Sequence, residues 1–319
     1  GIGSGGGVGK VTAEWLINGH INEDIFSYDI KRFQKFHSEL KFIKERVTET
    51  LGDLYGMHWP FKQHQTARNI KIFPHHEILK KNGACFGVSG GYERPMWFSM
   101  DNQEPKYNYS YRYQNWYPSV EFETKNCRKN VGLFDLTPFS KFVLKGDKAF
   151  EELQRICTAN IKNEPGKCVY TQMLNNDGGI EADVTIVCLE RNYFRIISSA
   201  ATRERDKFHI NKNLRTNIEL SDVTDKYCVF GLFGPKSREL ISSISKEDFS
   251  NKNFKFATGK KIKINNVDTW VQRLSYVGEL GYEIYVEFDK AVEILSLIHI
   301  SEPTRLLSIS YAGLCVKKK

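Results

Sequence analysis

Proline is scarce in this chain, with nine in 319 residues, and methionine scarcer still, with four. No run of about 18 apolar residues occurs, which excludes a membrane-spanning helix. There is no internal repeat, heptad run or biased tract, so disordered, collagen-like and coiled-coil classes fall away. No two cysteines form a C-x-x-C pair, and none has metal-like spacing to a histidine, so no metal site is expected. Cys85, Cys127, Cys157, Cys168, Cys188 and Cys228 are therefore expected to be buried thiols in a reducing compartment, not disulfides. The chain opens on Gly1 with neither Met nor a signal segment ahead of it, and reads as a fragment.

What is there is an ordinary globular composition: 40% hydrophobic, 26% charged and 13% aromatic, long enough for two or three compact domains. The formal charge of +8 suggests a nucleic-acid partner at first sight. From Ile298, however, the text IHISEPTRLLSISYAGLCVKKK interrupts a helical pattern and reads as translated adapter sequence. Without its three Lys, one Arg and one Glu the charge falls to +5. That basicity is mild, and it suits an anionic small molecule about as well as it suits nothing in particular.

Local patterns give the organisation. Gly1–Gly19 reads as a glycine-rich turn feeding an amphipathic helix that stops at Gly19. Leu40, Phe42, Ile43, Val47, Leu51 and Leu54 give a second helix over 39–55. A short helix at 77–81 precedes the strand-like ACFGVSGGYERPMWF, and the polar, Tyr-rich stretch 99–113 reads as a linker. Beyond Trp116, strands such as SKFVLKG, CVYTQML, IEADVTIVCLE, YFRIIS, CVFGLFG and GYEIYVEF alternate with helices. Thr202 is expected to cap TRERDKF, and Pro235 to open the next helix. Hairpins interleaved with helices predict an α+β fold on antiparallel sheet, not a doubly wound parallel one.

Three constellations could carry chemistry. Gly1, Gly3 and Gly6 satisfy G-x-G-x-x-G formally, but the strand that should precede it is absent from the sequence, and Walker A fails because Val11 follows Gly9-Lys10. In YTQMLNNDGGIEADVTIV, a hairpin through Asn-Asp-Gly-Gly brings Tyr170 close to Asp183. A carboxylate among Ala182, Val184 and Ile186 is costly unless it is paired, used, or turned to the surface. In SYVGELGYEI, Tyr276, Glu279 and Glu283 can face one space, or form a routine hairpin with a solvated turn. His75 and His76 read as solvated in a short surface helix.

VGLFDLTPFSKFVLKG, VYTQMLNNDGGIEADVTIV, SSAATRERD, GLFGPKS and YVGELGYEI together resemble the folate-binding domain of glycine-cleavage T-protein, an aminomethyltransferase. GIGSGGGVGKVTAEWLINGH, YDIKRF and GYERPMWF are similar to the flavin-domain tail and middle segment of the dimethylglycine and sarcosine dehydrogenase family. The resemblance implies residues 1–37 as the tail of an FAD-dependent oxidoreductase domain, 38–98 as the middle segment and 99–297 as a truncated folate-binding domain. Residues 298–319 remain as an artefactual tail. It implies oxidation of an N-methyl group with FAD and transfer of the one-carbon unit to tetrahydrofolate, giving 5,10-methylenetetrahydrofolate. Asp183 is then the essential carboxylate, Tyr170, Tyr276 and Glu283 are folate-pocket residues, and Gly5, Gly6, Gly7 and Gly9 form a loop at the edge of the flavin site. Sarcosine or dimethylglycine is the implied substrate, an electron-accepting flavoprotein the partner and the mitochondrial matrix the location, with no nucleic acid and no membrane insertion. The main alternative is a non-catalytic relative of pyruvate dehydrogenase phosphatase regulatory subunits. Such a relative should lose the pocket tyrosine and glutamate, which this sequence keeps.

Overall fold

The computed structural model describes residues 2–21, 23–100 and 103–301. Helices α1 (Gly5–Asn18) and α2 (Leu40–Asp53) come first, joined by single 3-10 turns; α3 (His76–Lys81) and the hairpin β1 (Ala84–Ser89) and β2 (Tyr92–Phe98) follow. Then come α4 (Tyr117–Lys129), β3 (Gly132–Asp135), β4 (Ser140–Lys145), α5 (Ala149–Ile156), β5 (Cys168–Leu174), β6 (Ile180–Glu190) and β7 (Tyr193–Ser198). The described chain finishes with α6 (Arg203–Asn213), β8 (Leu220–Asp222), β9 (Tyr227–Phe233), α7 (Ser237–Ile244), β10 (Gly259–Ile264), β11 (Val267–Gln272), β12 (Gly281–Glu287) and α8 (Ala291–Ser301).

Two five-stranded sheets result, in the orders β10-β11-β12-β9-β3 and β5-β6-β7-β4-β8, and every pairing in them is antiparallel. This is the α+β arrangement the sequence predicts. The period-2 alternation of side chains sorts each strand between two cores. On β6, Ala182, Val184, Ile186 and Cys188 join the core shared with Leu153 of α5 and Ile210 of α6, while Val187 turns to the opposite face. On β12, Tyr282, Ile284 and Val286 pack with Leu240 of α7 and Ile294 of α8, while Tyr285 turns away. Val187 and Ile197 of one sheet thus meet Val229, Phe233, Trp270 and Tyr285 of the other. The layers run helix, sheet, sheet, helix, and Lys141, Thr185, Gln272 and Glu283 are among the polar side chains buried between the two sheets.

Several local expectations need correction. Gly5, Gly6, Gly7 and Gly9 lie inside α1, not in a loop ahead of it, and all four are exposed. Helical hydrogen bonding satisfies a glycine backbone as well as any other once the turn is nucleated. Gly19 does end that helix, at φ +71° with its N–H bonded to Trp15 O. His75 and His76 are buried, not solvated. His75 is held inside by Asp135 of the LFDLT strand, Nε2 to Oδ2 at 3.0 Å, and by stacking on Phe73. Thr202 does not cap α6 through its side chain; its hydroxyl donates instead to buried Asp206 at 2.6 Å. The Tyr-rich stretch packs rather than links: Tyr107 and Tyr109 stack on each other and meet the edge of Trp116. Helix α8 runs through Ser301 with Ile298 in the core, past the break expected at Ile298, whereas Leu306, Leu307 and Ile309 lie outside the described residues. The six cysteines named above are free and buried, as expected.

Candidate functional site

The β5–β6 hairpin builds the outer part of the site. Its turn closes with Asn175 N–H donating to Gly179 O, while Asn175 Oδ1 accepts from the Asp177 and Gly179 amides and Gly178 takes φ +82°. That register pairs Gln172 with Asp183 and Tyr170 with Thr185, so all four side chains stand on one face. Tyr170 OH donates to Asp183 Oδ2 at 2.8 Å, and Gln172 Nε2 donates to Oδ1 at 3.2 Å. Asp183 is therefore an exposed but fixed carboxylate. Its bond to Tyr170 pushes that phenol's pKa up, and partial burial adds to the shift.

The inner part comes from the other sheet. Tyr276, in the loop before β12, meets Thr185 Oγ1 at 2.9 Å across the gap between sheets. Thr185 lies two positions along β6 from Asp183, which ties the phenol to the carboxylate strand. Glu283 is only 3% exposed, whereas Tyr276 is 50% exposed and Tyr170 57%. Gln272 Nε2 and Tyr285 OH each donate to Glu283 Oε2 at 2.8 Å, which leaves Oε1 outside that network. Trp270 Nε1 in turn donates to Gln272 Oε1 at 3.2 Å and fixes the amide. Burial raises the pKa of Glu283, and burial with Glu283 nearby raises Tyr276.

Tyr276 and Glu283 line one small cavity with Tyr285, Lys141, Phe139 and Ile197. Lys141 is fully buried and donates to Thr137 O and Phe139 O at 2.8 and 2.7 Å; burial pushes its ammonium down to about 7. The four sequence-singled residues thus fall into two pairs, Tyr170–Asp183 at the mouth and Tyr276–Glu283 deeper in, linked through Thr185. Glu279 does not join them: it pairs with Arg128 of α4 at 2.8 Å. Sequence reasoning missed Gln172, Lys141, Gln272 and Tyr285. Strand alternation in YEIYV could have placed Tyr285 beside Glu283, but Lys141 and Gln272 arrive only with the second sheet.

Four stacked layers with a polar gap between two antiparallel sheets define a T-protein-like architecture. The same fold occurs in glycine cleavage system aminomethyltransferase T from Bartonella henselae, at a TM-score of 0.61 and 20% identity over 76% of this chain and 60% of that one. A family model described as the GCVT N-terminal domain matches residues 75–312, and the chain belongs to that family. Residues 18–72 match the FAD dependent oxidoreductase central domain. Among curated relatives, 4-methylaminobutanoate oxidase (formaldehyde-forming) of Paenarthrobacter nicotinovorans is 39% identical over 92% of this chain and 36% of its own length. The mitochondrial pyruvate dehydrogenase phosphatase regulatory subunit of Mus musculus is 30% identical over 92% and 34%. The mitochondrial dimethylglycine dehydrogenase of Rattus norvegicus is 29% identical over 89% and 33%. The chain spans about a third of the length of these relatives. The dehydrogenase and aminomethyltransferase resemblance read from the sequence is borne out.

Proposed function

We propose that this chain is the folate-binding, one-carbon-accepting part of a flavin-dependent enzyme that oxidises an N-methylated amino acid of the sarcosine or dimethylglycine type. The observation that carries the reading is the graded polar path from exposed Asp183 through Thr185 and Tyr276 to buried Glu283. A pteridine ring needs aromatic faces and an acceptor for its amine and amide N–H groups. Glu283 offers Oε1 as that acceptor, and Tyr276 and Tyr170 offer rings, so the residues fit the group. Bound tetrahydrofolate would supply the amine that accepts the one-carbon unit. Asp183, held by Tyr170 and Gln172, would stabilise positive charge developing beside that amine.

The described residues do not fit a flavin in the same way. Nothing stands within 4 Å of where a Cβ would sit on Gly5, Gly6, Gly7 or Gly9, so no close packing requires glycine there. No step is assigned to these glycines. The reading includes an electron-accepting flavoprotein partner and a place in the mitochondrial matrix, of which the names of the dehydrogenase relatives support the mitochondrion.

A regulatory role is the competing reading, since one relative of similar identity is a phosphatase regulatory subunit; the pocket that Tyr276 and Glu283 line favours the enzyme. The test is Asp183→Asn in a protein containing this chain together with a flavin domain. Formation of methylenetetrahydrofolate is expected to fall by about a hundredfold or more while flavin reduction stays near wild type, with the one-carbon unit released as formaldehyde. Equal loss of both half-reactions, or an unchanged transfer rate, would remove Asp183 from this role. A wild-type protein that makes no methylenetetrahydrofolate would favour the regulatory reading.

A further inference from the structure

Arg195 stands in the middle of YFRIIS. Its neighbours Phe194 and Ile196 face the helix-side core, so Arg195 and Ile197 face the layer between the sheets. It is 4% exposed, with Cζ 4.6 Å from the ring centre of Tyr285 and 5.1 Å from that of Tyr227. Its Nε and Nη1 have no hydrogen-bond partner, and among the described residues no carboxylate forms an ion pair with it. A buried guanidinium that cannot shed its proton is costly in such a place. Ring faces offset part of that cost. The rest needs a nearby negative charge.

We infer that Arg195 is a positioning residue for Glu283: its guanidinium, held between Tyr227 and Tyr285, supplies the fixed positive charge that keeps Glu283 a carboxylate in the sheet–sheet layer. The geometry runs through Tyr285, whose ring carries Arg195 and whose hydroxyl donates to Glu283. The other groups facing Glu283 cannot do this. Tyr285 on its own strand, Tyr276 in the preceding loop and Cys168 on β5 are all driven toward their neutral forms by burial. Gln272 on β11 carries no charge. Lys141 on β4 titrates near neutrality and spends its donors on two backbone carbonyls. Burial lowers the pKa of Arg195 as well, but a guanidinium holds its proton far above neutrality, and its field opposes the burial that would protonate Glu283. What the carboxylate then accepts, the N–H edge of a fused heterocycle, rests on the folate reading; the ionisation itself does not.

The test therefore uses no folate. The chain is prepared with 13C in its glutamate carboxyls, the Glu283 resonance is assigned from Glu283→Gln, and its shift is followed against pH. Wild type should show Glu283 ionised at pH 7. Arg195→Met keeps the bulk and loses the charge, and should move the midpoint to higher pH; Arg195→Lys keeps the charge and should stay close to wild type. Arg195→Gln replaces Arg195→Met if the latter does not fold. A Glu283 protonated at pH 7 in wild type, or a midpoint unmoved when the charge is removed, overturns the inference. A chain that shows the shift but binds no tetrahydrofolate would instead overturn the folate reading and leave the role of Arg195 intact.

Discussion

Lys141 shows how a single side chain can report on the site without touching a ligand. It is fully buried, forms no ion pair among the described residues, and bonds only to the carbonyls of Thr137 and Phe139. Burial lowers its pKa from 10.5 to about 7. In the unfolded chain the amine keeps its proton up to its ordinary range, so between about pH 7 and 10 the unfolded state binds the extra proton. Stability from this residue should accordingly rise with pH across that window and be lost as pH falls towards 7. The slope is at most about 1.4 kcal/mol per pH unit. The difference in urea midpoint between wild type and Lys141→Met, measured at pH 7 and pH 9, isolates it from cysteine and tyrosine titration. An equal difference at both values would mean that Lys141 is charged in the folded state.

Among the elements, the β5–β6 hairpin is where local sequence most directly sets the site. Gly178 at φ +82° has nothing within 4 Å of where a Cβ would stand, so only backbone strain opposes a side chain there. Gly178→Ala should cost about 1 kcal/mol, and Gly178→Asn less, since asparagine tolerates the left-handed region. Thermal unfolding of the two variants checks the order. The turn chemistry of Asn-Asp-Gly-Gly was legible because Gly and Asn act within four residues of themselves. Helix α2 gives the contrasting case. Its apolar repeat forecast a helix, and a helix is there, but Leu40, Val47, Leu51 and Leu54 are exposed. Periodicity shows that a stripe exists; it does not say what covers it.

For the molecule as a whole, the question is how two sheets made by distant stretches of chain come to share one site. The Thr185–Tyr276 contact joins residues 91 apart in sequence. A double-mutant cycle with Thr185→Val and Tyr276→Phe should give a coupling of about 0.5–1 kcal/mol in urea unfolding, modest because Tyr276 is half exposed. Additive effects would mean that the contact does not hold the sheets in register. By itself the sequence determined the α+β class, the two hairpins that carry Asp183 and Glu283, the buried free thiols and the family, since these follow from alternation, turn chemistry and motif spacing, all of which act along the chain. It could not show that His75 is buried on Asp135, that Glu279 leaves the site for Arg128, or that the glycines near the start are helical. Nor could it gather Lys141, Arg195, Gln272 and Tyr285 around Glu283. Those outcomes were decided by tertiary structure, because which strand face becomes the sheet–sheet layer depends on the packing of the second sheet, which no pattern along a single strand encodes.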